Sequence, residues 1–303
     1  KGEDINALKA WELSRGNKEI IVGIIDTGVD YNHKNLKSNI LINTPEKNGE
    51  VGVDDDGNGF IDDIYGYDFI SGEEGDNDPM DGHGHGTHCA GVIGAVHNRS
   101  GIRGVMAYVK LLPIKFLGDS GSGTLEAAIK AVNYGIIRGA HILSNSWEGG
   151  QESRALKDAI SAANDAGIIF VAASGNSRND NDEWPTYPAN YEFDNVISVG
   201  AMDGRGKKAS FSNYGKKTVD IFAPGVGIYS TVKNNGYKKM SGTSMATPFV
   251  SGAIGLLLSQ EGIMSPKDIK ERILKTAKDN KKLKDFSVSG GRLDSYQLLQ
   301  NNF

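Results

Sequence analysis

Ile20-Ile21-Val22-Gly23-Ile24-Ile25, running into Asp26-Thr27-Gly28, is the stretch that decides the fold. An unbroken apolar run, as opposed to an alternating one, fits a strand buried on both faces, as in a parallel sheet covered by helices. The run stops at Asp26, and open α/β sheets gather their chemistry beyond the carboxyl ends of their strands. Asp before Gly is also a common turn, so position alone leaves both readings of Asp26 open.

The same grammar repeats outward. Strands are expected at 109–116, 141–145, 168–173, 196–201 and 219–222, with helices at 124–137 and 152–166. Residues 1–19 read as a helix and turn, with Ile5, Leu8, Trp11 and Leu13 as its apolar stripe. Ser265-Pro266 opens a last strong helix, and its lysines (Lys267, Lys270, Lys275, Lys278) read as a solvated face. Alternating strands and helices predict a three-layer α/β/α arrangement around a mostly parallel, doubly wound sheet. With no internal repeat, low-complexity tract or dividing linker, residues 1–303 are expected to form a single domain. The 303 residues, 38% hydrophobic, are enough to bury a large core.

Composition excludes some classes. A net charge of -5 argues against nucleic acid as a partner. No apolar run approaches the roughly 18–20 residues that span a bilayer. Lys1 opens a polar segment without a signal peptide, which reads as a mature form. Cys89 is the only cysteine, so no disulfide staples the chain.

Residues 48–98 hold no Lys or Arg but carry Glu50, Asp54, Asp55, Asp56, Asp62, Asp63, Asp68, Glu73, Glu74, Asp76, Asp78 and Asp81. Carboxylates at this density repel one another unless a cation sits among them. Asp54, Asp56 and Asn58 alternate, and Gly59 follows, as at the front of a calcium loop. Tyr65 stands where an EF-hand would close with Glu, so Asp63 is taken as the closing ligand and Phe60 as a carbonyl ligand. Asp68, Asp76, Asp78 and Asp81, with the Met80 carbonyl, make a second candidate cluster. Calcium suits such many-oxygen cages better than Mg²⁺. An acidic calcium-binding insertion at about 48–82 is therefore expected, with at least one ion and a second plausible on the same logic; a solvated acidic loop is the plain alternative.

The tract Asp81-Gly82-His83-Gly84-His85-Gly86-Thr87-His88-Cys89-Ala90-Gly91 holds half of the six histidines. Two readings stand: a zinc site, or a general base opening a tightly packed helix of small residues. Further on, Gly242-Thr243-Ser244-Met245-Ala246-Thr247-Pro248 places a serine at the first turn of an apolar helical run through Phe249, Val250, Ala253, Leu256 and Leu257. Ser244 is either a helix cap or a nucleophile beside unpaired backbone N–H groups. Other strands also end in polar residues, Ser146 and Asn176. Amide hydrolysis needs a nucleophile, a base, an orienter and an oxyanion donor, and Ser244, His85, Asp26 and Asn176 supply those types.

Ile25-Asp26-Thr27-Gly28, His85-Gly86-Thr87-His88 and the 242–248 block resemble the three signature stretches of the subtilisin-like serine proteases, and the resemblance runs from Trp11 to Gly290-Gly291-Arg292-Leu293. It implies a subtilisin-like fold and a serine endopeptidase working through an Asp26–His85–Ser244 triad and an acyl-enzyme, with Asn176 and the Ser244 N–H as the oxyanion donors. His83 and His88 are then structural. By the same likeness an extended peptide lies between Gly121-Ser122-Gly123 and Ser146-Trp147-Glu148-Gly149. Ala173, Ser174, Gly175 and Thr186 complete the primary pocket, with a cis Tyr187–Pro188 bond beside it. Residues 96–102 resemble the family's high-affinity calcium loop, although Asn35 stands where relatives usually supply an Asp. Glu148 also departs from the family, which often has Gly there; it is either an outward loop residue or a carboxylate selecting Lys or Arg.

These features together predict a secreted, calcium-stabilised endopeptidase of broad specificity with an apolar P1 residue. It would be a monomer acting on protein and peptide substrates, and the family resemblance implies a zymogen whose N-terminal propeptide inhibits it and assists folding. The rival readings are a processing protease for basic sites, a zinc hydrolase, and a non-catalytic calcium-binding module.

Overall fold

The structure, a computed structural model, describes residues 3–72, 75–99 and 101–300. Lys1, Glu73, Glu74 and Ser100, which figure in the sequence reading, lie outside the described residues. In chain order the elements are α1 (Ala7–Leu13), β1 (Gly16–Asp26), α2 (Thr44–Asn48), β2 (Tyr67–Asp68), α3 (His85–Gly94), β3 (Tyr108–Lys115), α4 (Leu125–Ile137), β4 (Ile142–Asn145) and α5 (Arg154–Asp165). Then come β5 (Ile169–Ala173), β6 (Val196–Met202), β7 (Ile221–Pro224), β8 (Ile228–Val232), β9 (Gly236–Met240), α6 (Thr243–Glu261), α7 (Pro266–Thr276), β10 (Lys278–Asp279), β11 (Gly291–Arg292) and α8 (Ser295–Leu298).

Nine strands form one sheet in the order β10-β11-β7-β6-β5-β4-β1-β3-β2. All neighbours run parallel except β10 and β11. The chain leaves β1 toward β3 on one side and returns to β4 on the other, so the switch of direction lies at β1. Val22 and Ile24 enter a core shared with Ala90, Ile93, Val250 and Ile254 of α3 and α6. Ile25 enters the opposite core with Ala131 of α4 and Ile160 of α5. Burial on both faces is why the β1 run has no polar alternation, and each such side chain contributes about 1.5–3 kcal/mol.

The small residues of α3 answer to close packing, as expected. A Cβ on Gly86 would lie 2.1 Å from the Gly28 carbonyl, and one on Gly91 would lie 2.1 Å from Thr231 Oγ1. In α6, a Cβ on Gly252 would stand 2.6 Å from Val105 Cβ.

Two features differ from the sequence reading. The β8–β9 hairpin was not expected, although Asn234 and Asn235 carry its signal. Both have positive φ, 62° and 57°, and Gly236 N–H closes the turn on Lys233 O, the geometry of a type I′ turn. Lys270 is not a solvated lysine: its Nζ donates to Val196 O at 2.7 Å and lies 3.5 Å from the buried Asp220 carboxylate. Among the described residues no helix is long and apolar enough to cross a membrane.

Candidate active site

The ends of β1, β4 and β5 come level, because Ile25 pairs with Asn145 and Asn145 with Ala172. Asp26 is fully buried there. Its Oδ1 accepts the Thr27 N–H and lies 2.7 Å from His85 Nδ1. A carboxylate holds a proton on Nδ1 and leaves Nε2 as the basic nitrogen. Burial acts to lower the pKa of His85, but the charge and hydrogen bond of Asp26, with a further contribution from Asp81, outweigh it and raise the pKa above 6.5.

Asp81 does not join the acidic cluster in which the sequence placed it. Oδ1 accepts from Thr27 Oγ1, His83 N and Gly84 N, and Oδ2 accepts from Thr87 N and Oγ1. Five donors occupy the lone pairs a cation would need, and they pin the start of α3, from which His85 projects. His88 is likewise structural: its Nε2 meets Ile228 O and Lys238 O at 3.0 and 3.2 Å, fixing α3 to the hairpin. With His85 Nδ1 on Asp26 and His88 Nε2 on two carbonyls, the imidazoles do not converge as zinc ligands.

Ser244 is the second residue of α6, behind the Gly242 N-cap. Pro248 lies four residues on and has no N–H to return to the Ser244 carbonyl. That carbonyl accepts instead from Ser146 Oγ at 2.9 Å and Cys89 Sγ at 3.4 Å. Burial pushes the Cys89 thiol well above its usual pKa, so the sulfur keeps the proton it donates. Ser244 Oγ donates to Ser146 O at 2.9 Å, so the two serines are reciprocally bonded. No hydrogen bond joins Ser244 to His85 among the described residues; both line the same cavity.

Asn176 Oδ1 accepts from Thr243 N at 2.9 Å and Thr243 Oγ1 at 3.1 Å. An oxygen on a backbone N–H fixes the orientation of the amide and leaves Nδ2 as the free donor beside Ser244. The segment around Asn176 is clamped by Asn213, which the sequence reading missed. Asn213 Nδ2 donates to Ser174 O, Asn181 Oδ1 and Thr186 Oγ1, while Oδ1 accepts from Ser177 N and Asn179 N. A lone Asn in Phe211-Ser212-Asn213-Tyr214 carries no local sign of this role, because its partners lie 27 or more residues away.

The cavity has a volume of about 910 Å³. Gly121, Ser122 and Gly123 line one side, Ser146, Trp147, Glu148 and Gly149 another, and Ala173, Asn176, His85 and Ser244 the floor. Ser174, Gly175 and Thr186 are not on its surface: Glu148 Oε2 and Asn213 Nδ2 each lie 2.3 Å from where a Cβ on Gly175 would stand, covering that end. The Gly149 N–H is already spent on Tyr187 O at 3.0 Å. The Tyr187–Pro188 bond is cis.

The 54–63 loop folds onto its own carboxylates. Asp54 accepts from Asn58 N and Gly59 N, Asp56 from Asn58 N, and Asn58 Oδ1 from Phe60 N. One carboxylate oxygen from each of Asp56, Asp63 and the buried Glu46 lies within 4.8 Å of the others. Glu46, on the short α2, was not foreseen; its oxygens accept from Asp55 N, Asp56 N and Asp62 N. Asp63 also pairs with Arg138 at 2.5 Å and accepts from Tyr134 Oη at 2.6 Å. Asn43 Nδ2 also donates to Asp56 and Asp63, at 2.9 and 2.6 Å, and Asn58 Nδ2 to Asp63 at 3.2 Å. One guanidinium and neutral amides against three carboxylates still leave excess negative charge among hard oxygens, the kind of donor set that suits calcium once those amides turn aside.

The second cluster is not gathered in this way. Asp68 Oδ1 accepts Ile70 N, Asp76 Oδ1 accepts Asp78 N, and Asp78 Oδ1 takes Tyr31 Oη and Met80 N. Asp68, Asp76 and Asp78 do not form a converging carboxylate triad among the described residues. In the 96–102 segment, Asn35 Nδ2 points at the Val96 and Ile102 carbonyls, 3.4 and 3.5 Å away. An amide donor faces the oxygens that a cation would otherwise collect.

Comparison with known proteins places these features in context. Residues 17–291 match the sequence profile of the Subtilase family, Peptidase_S8. The chain is 38% identical over 274 residues to subtilisin DY of Bacillus licheniformis, covering 90% of this chain and 89% of that protein. It is 37% identical over 306 residues to thermitase of Thermoactinomyces vulgaris, covering 98% and 94%. A crystal structure of a cold-adapted subtilisin-like serine proteinase superposes with a TM-score of 0.71 at 32% identity, covering 92% of this chain and 89% of that one.

Proposed function

The chain belongs to the subtilase family and is a serine endopeptidase; from that premise we propose that Ser244 is its nucleophile, His85 its general base, Asp26 the orienter and Asn176 the oxyanion donor. The observation that carries the assignment is the buried His85–Asp26 pair at 2.7 Å, opening on the cavity that Ser244 and Asn176 share.

Ser244 Oγ rotates from Ser146 O toward His85 Nε2 when an extended peptide enters. His85 takes the hydroxyl proton as Oγ attacks the scissile carbonyl, and Asp26 stabilises the resulting imidazolium. Asn176 Nδ2 and the Ser244 N–H meet the oxyanion, and one such donor stabilises the transition state by about 3–4 kcal/mol. His85 then protonates the leaving amine, and water repeats the sequence on the acyl-enzyme.

Calcium would be held by Glu46, Asp56 and Asp63, with Asp54, Asn58 and the Phe60 carbonyl on the same loop. It would supply the charge that offsets their repulsion and so stabilise the fold. Residues 1–303 act as one catalytic domain carrying this loop as an insertion. Secretion, a monomeric state and an inhibitory N-terminal propeptide belong to the same reading.

A fluorophosphonate probe tests the nucleophile: adduct mass on the tryptic peptide containing Ser244, absent from S244A, supports it. Labelling elsewhere, or proteolysis surviving in S244A, overturns it.

A further inference from the structure

Among the described residues no lysine or arginine lines the cavity around Ser244, whereas two glutamates do. Glu152 has a counter-ion in Lys157 at 3.3 Å. Glu148 has no such partner among the described residues; the donor it meets is the Asn176 N–H, 3.3 Å from Oε1. The side chain is solvent-exposed, yet it folds back over the end of the cavity instead of extending away from it. Oε2 lies 2.3 Å from where a Cβ on Gly175 would stand, and Gly175 has φ +110°. The carboxylate therefore rests on a glycine whose backbone conformation and lack of a side chain leave room for it. Asn213, locked by its own hydrogen bonds, backs the other side of that glycine.

An unpaired carboxylate at one end of a cavity attracts a cation brought by the ligand, and more strongly as the ligand excludes water. The position fixes which part of a peptide meets it. Glu148 touches the residue that carries the oxyanion donor, so it faces the side chain next to the scissile carbonyl on the acyl side. The geometry points to Glu148 as a specificity-determining residue that makes this endopeptidase cut preferentially after Lys or Arg. The aliphatic stem of that residue lies between the 146–148 main chain and Ala173, and its cation meets the Glu148 carboxylate. This inference rests on the Ser244 acyl-transfer reading and is the alternative to an apolar P1 residue.

The test digests a denatured protein mixture in calcium buffer and reads the new termini by mass spectrometry. Quenched peptides differing only at P1 (Lys, Arg, norleucine, Glu) then give kcat/KM for the parent, E148Q and E148K. A charge-assisted hydrogen bond of ordinary strength predicts that the Lys-to-norleucine ratio falls about 10- to 100-fold in E148Q. In E148K the order reverses, with Glu at P1 favoured over Lys. A parent that cuts equally well after norleucine, or a Lys preference that survives E148Q, overturns the role of Glu148. Fluorophosphonate labelling of the same samples keeps the two readings apart: cleavage without a Ser244 adduct overturns the acyl-transfer reading, whatever the P1 pattern.

Discussion

Pro248 withholds an N–H from the Ser244 carbonyl one turn earlier in α6, and Ser146 Oγ occupies that carbonyl at 2.9 Å with Cys89 Sγ behind it at 3.4 Å. The proline thus detaches the nucleophile's peptide from the helix ladder and ties it to the end of β4. Ser146→Ala leaves a buried carbonyl with only a weak thiol donor. It is expected to cost about 1–3 kcal/mol in stability and to lower kcat more than it raises KM. Cys89→Ala should cost less on both counts. Thermal melts and steady-state kinetics of the two variants check the ranking; a Cys89 effect exceeding that of Ser146 contradicts it.

His85 gives a pH dependence with a definite sign. Asp26 and Asp81 raise its pKa above 6.5 despite its burial, and the base must be neutral to act. Activity is therefore expected to rise with pH through a midpoint above 6.5. The stability from the His85–Asp26 pair runs the other way. It is fully present below about 6.5, the unfolded value, and is lost as pH rises through the higher folded value. Asp26→Asn should lower kcat about 10⁴-fold and shift the kcat/KM midpoint downward. An unchanged midpoint in that variant would contradict the assignment.

Asn176 and Asn213 should separate catalysis from positioning. Asn176→Ala removes an exposed donor, and kcat is expected to fall about 10²- to 10³-fold, the loss typical of one oxyanion-hole donor, while loss of the acceptor for Thr243 N and Oγ1 costs about 1 kcal/mol in stability. Asn213→Ala strips a buried amide from five partners, so it should destabilise by several kcal/mol, on the order of 2–5, and lower kcat as well. Equal melting temperatures for the two variants would be inconsistent with this division.

Excess EGTA is expected to lower the melting temperature. At a free calcium concentration about 100-fold above Kd, the ion contributes about 2.7 kcal/mol, or roughly 4 °C for a chain of this size. Glu46→Gln should shrink that difference. A melt indifferent to EGTA, or an undiminished difference in Glu46→Gln, would remove the calcium assignment from this loop.

Much of the fold was legible because its signals are local. The β1 run announces a two-faced strand, and α6 opens where the apolar period begins. Asp26 ends β1, while His85 and Ser244 open α3 and α6, so each of the three sits at an element boundary that the sequence marks. The misreadings share a different cause. Asp81 looked like a calcium ligand because neighbouring acids surround it in sequence, yet its five donors come from Thr27 and the start of α3. Glu46 and Arg138 complete the carboxylate cluster from outside the acidic segment, and Asn213 serves a loop far away in the chain. Long-range hydrogen-bond partners leave no period or spacing to read.

The 54–63 loop has one more consequence, for how an endopeptidase survives its own company. Its surroundings carry exposed apolar side chains, Val51 and Ile61, of the kind proteases accept. A subtilase grips substrate by pairing with extended main chain, but the N–H groups of Asp55, Asp56, Asn58, Gly59 and Asp62 are already committed to carboxylates, and that of Phe60 to the Asn58 amide oxygen. Held in that form the loop offers a second copy of the enzyme few N–H groups to pair with. Stripped of a cation, its crowded carboxylates push apart, those N–H groups come free, and the loop becomes bait. Calcium would then set the enzyme's working lifetime by withholding the first cut of self-digestion.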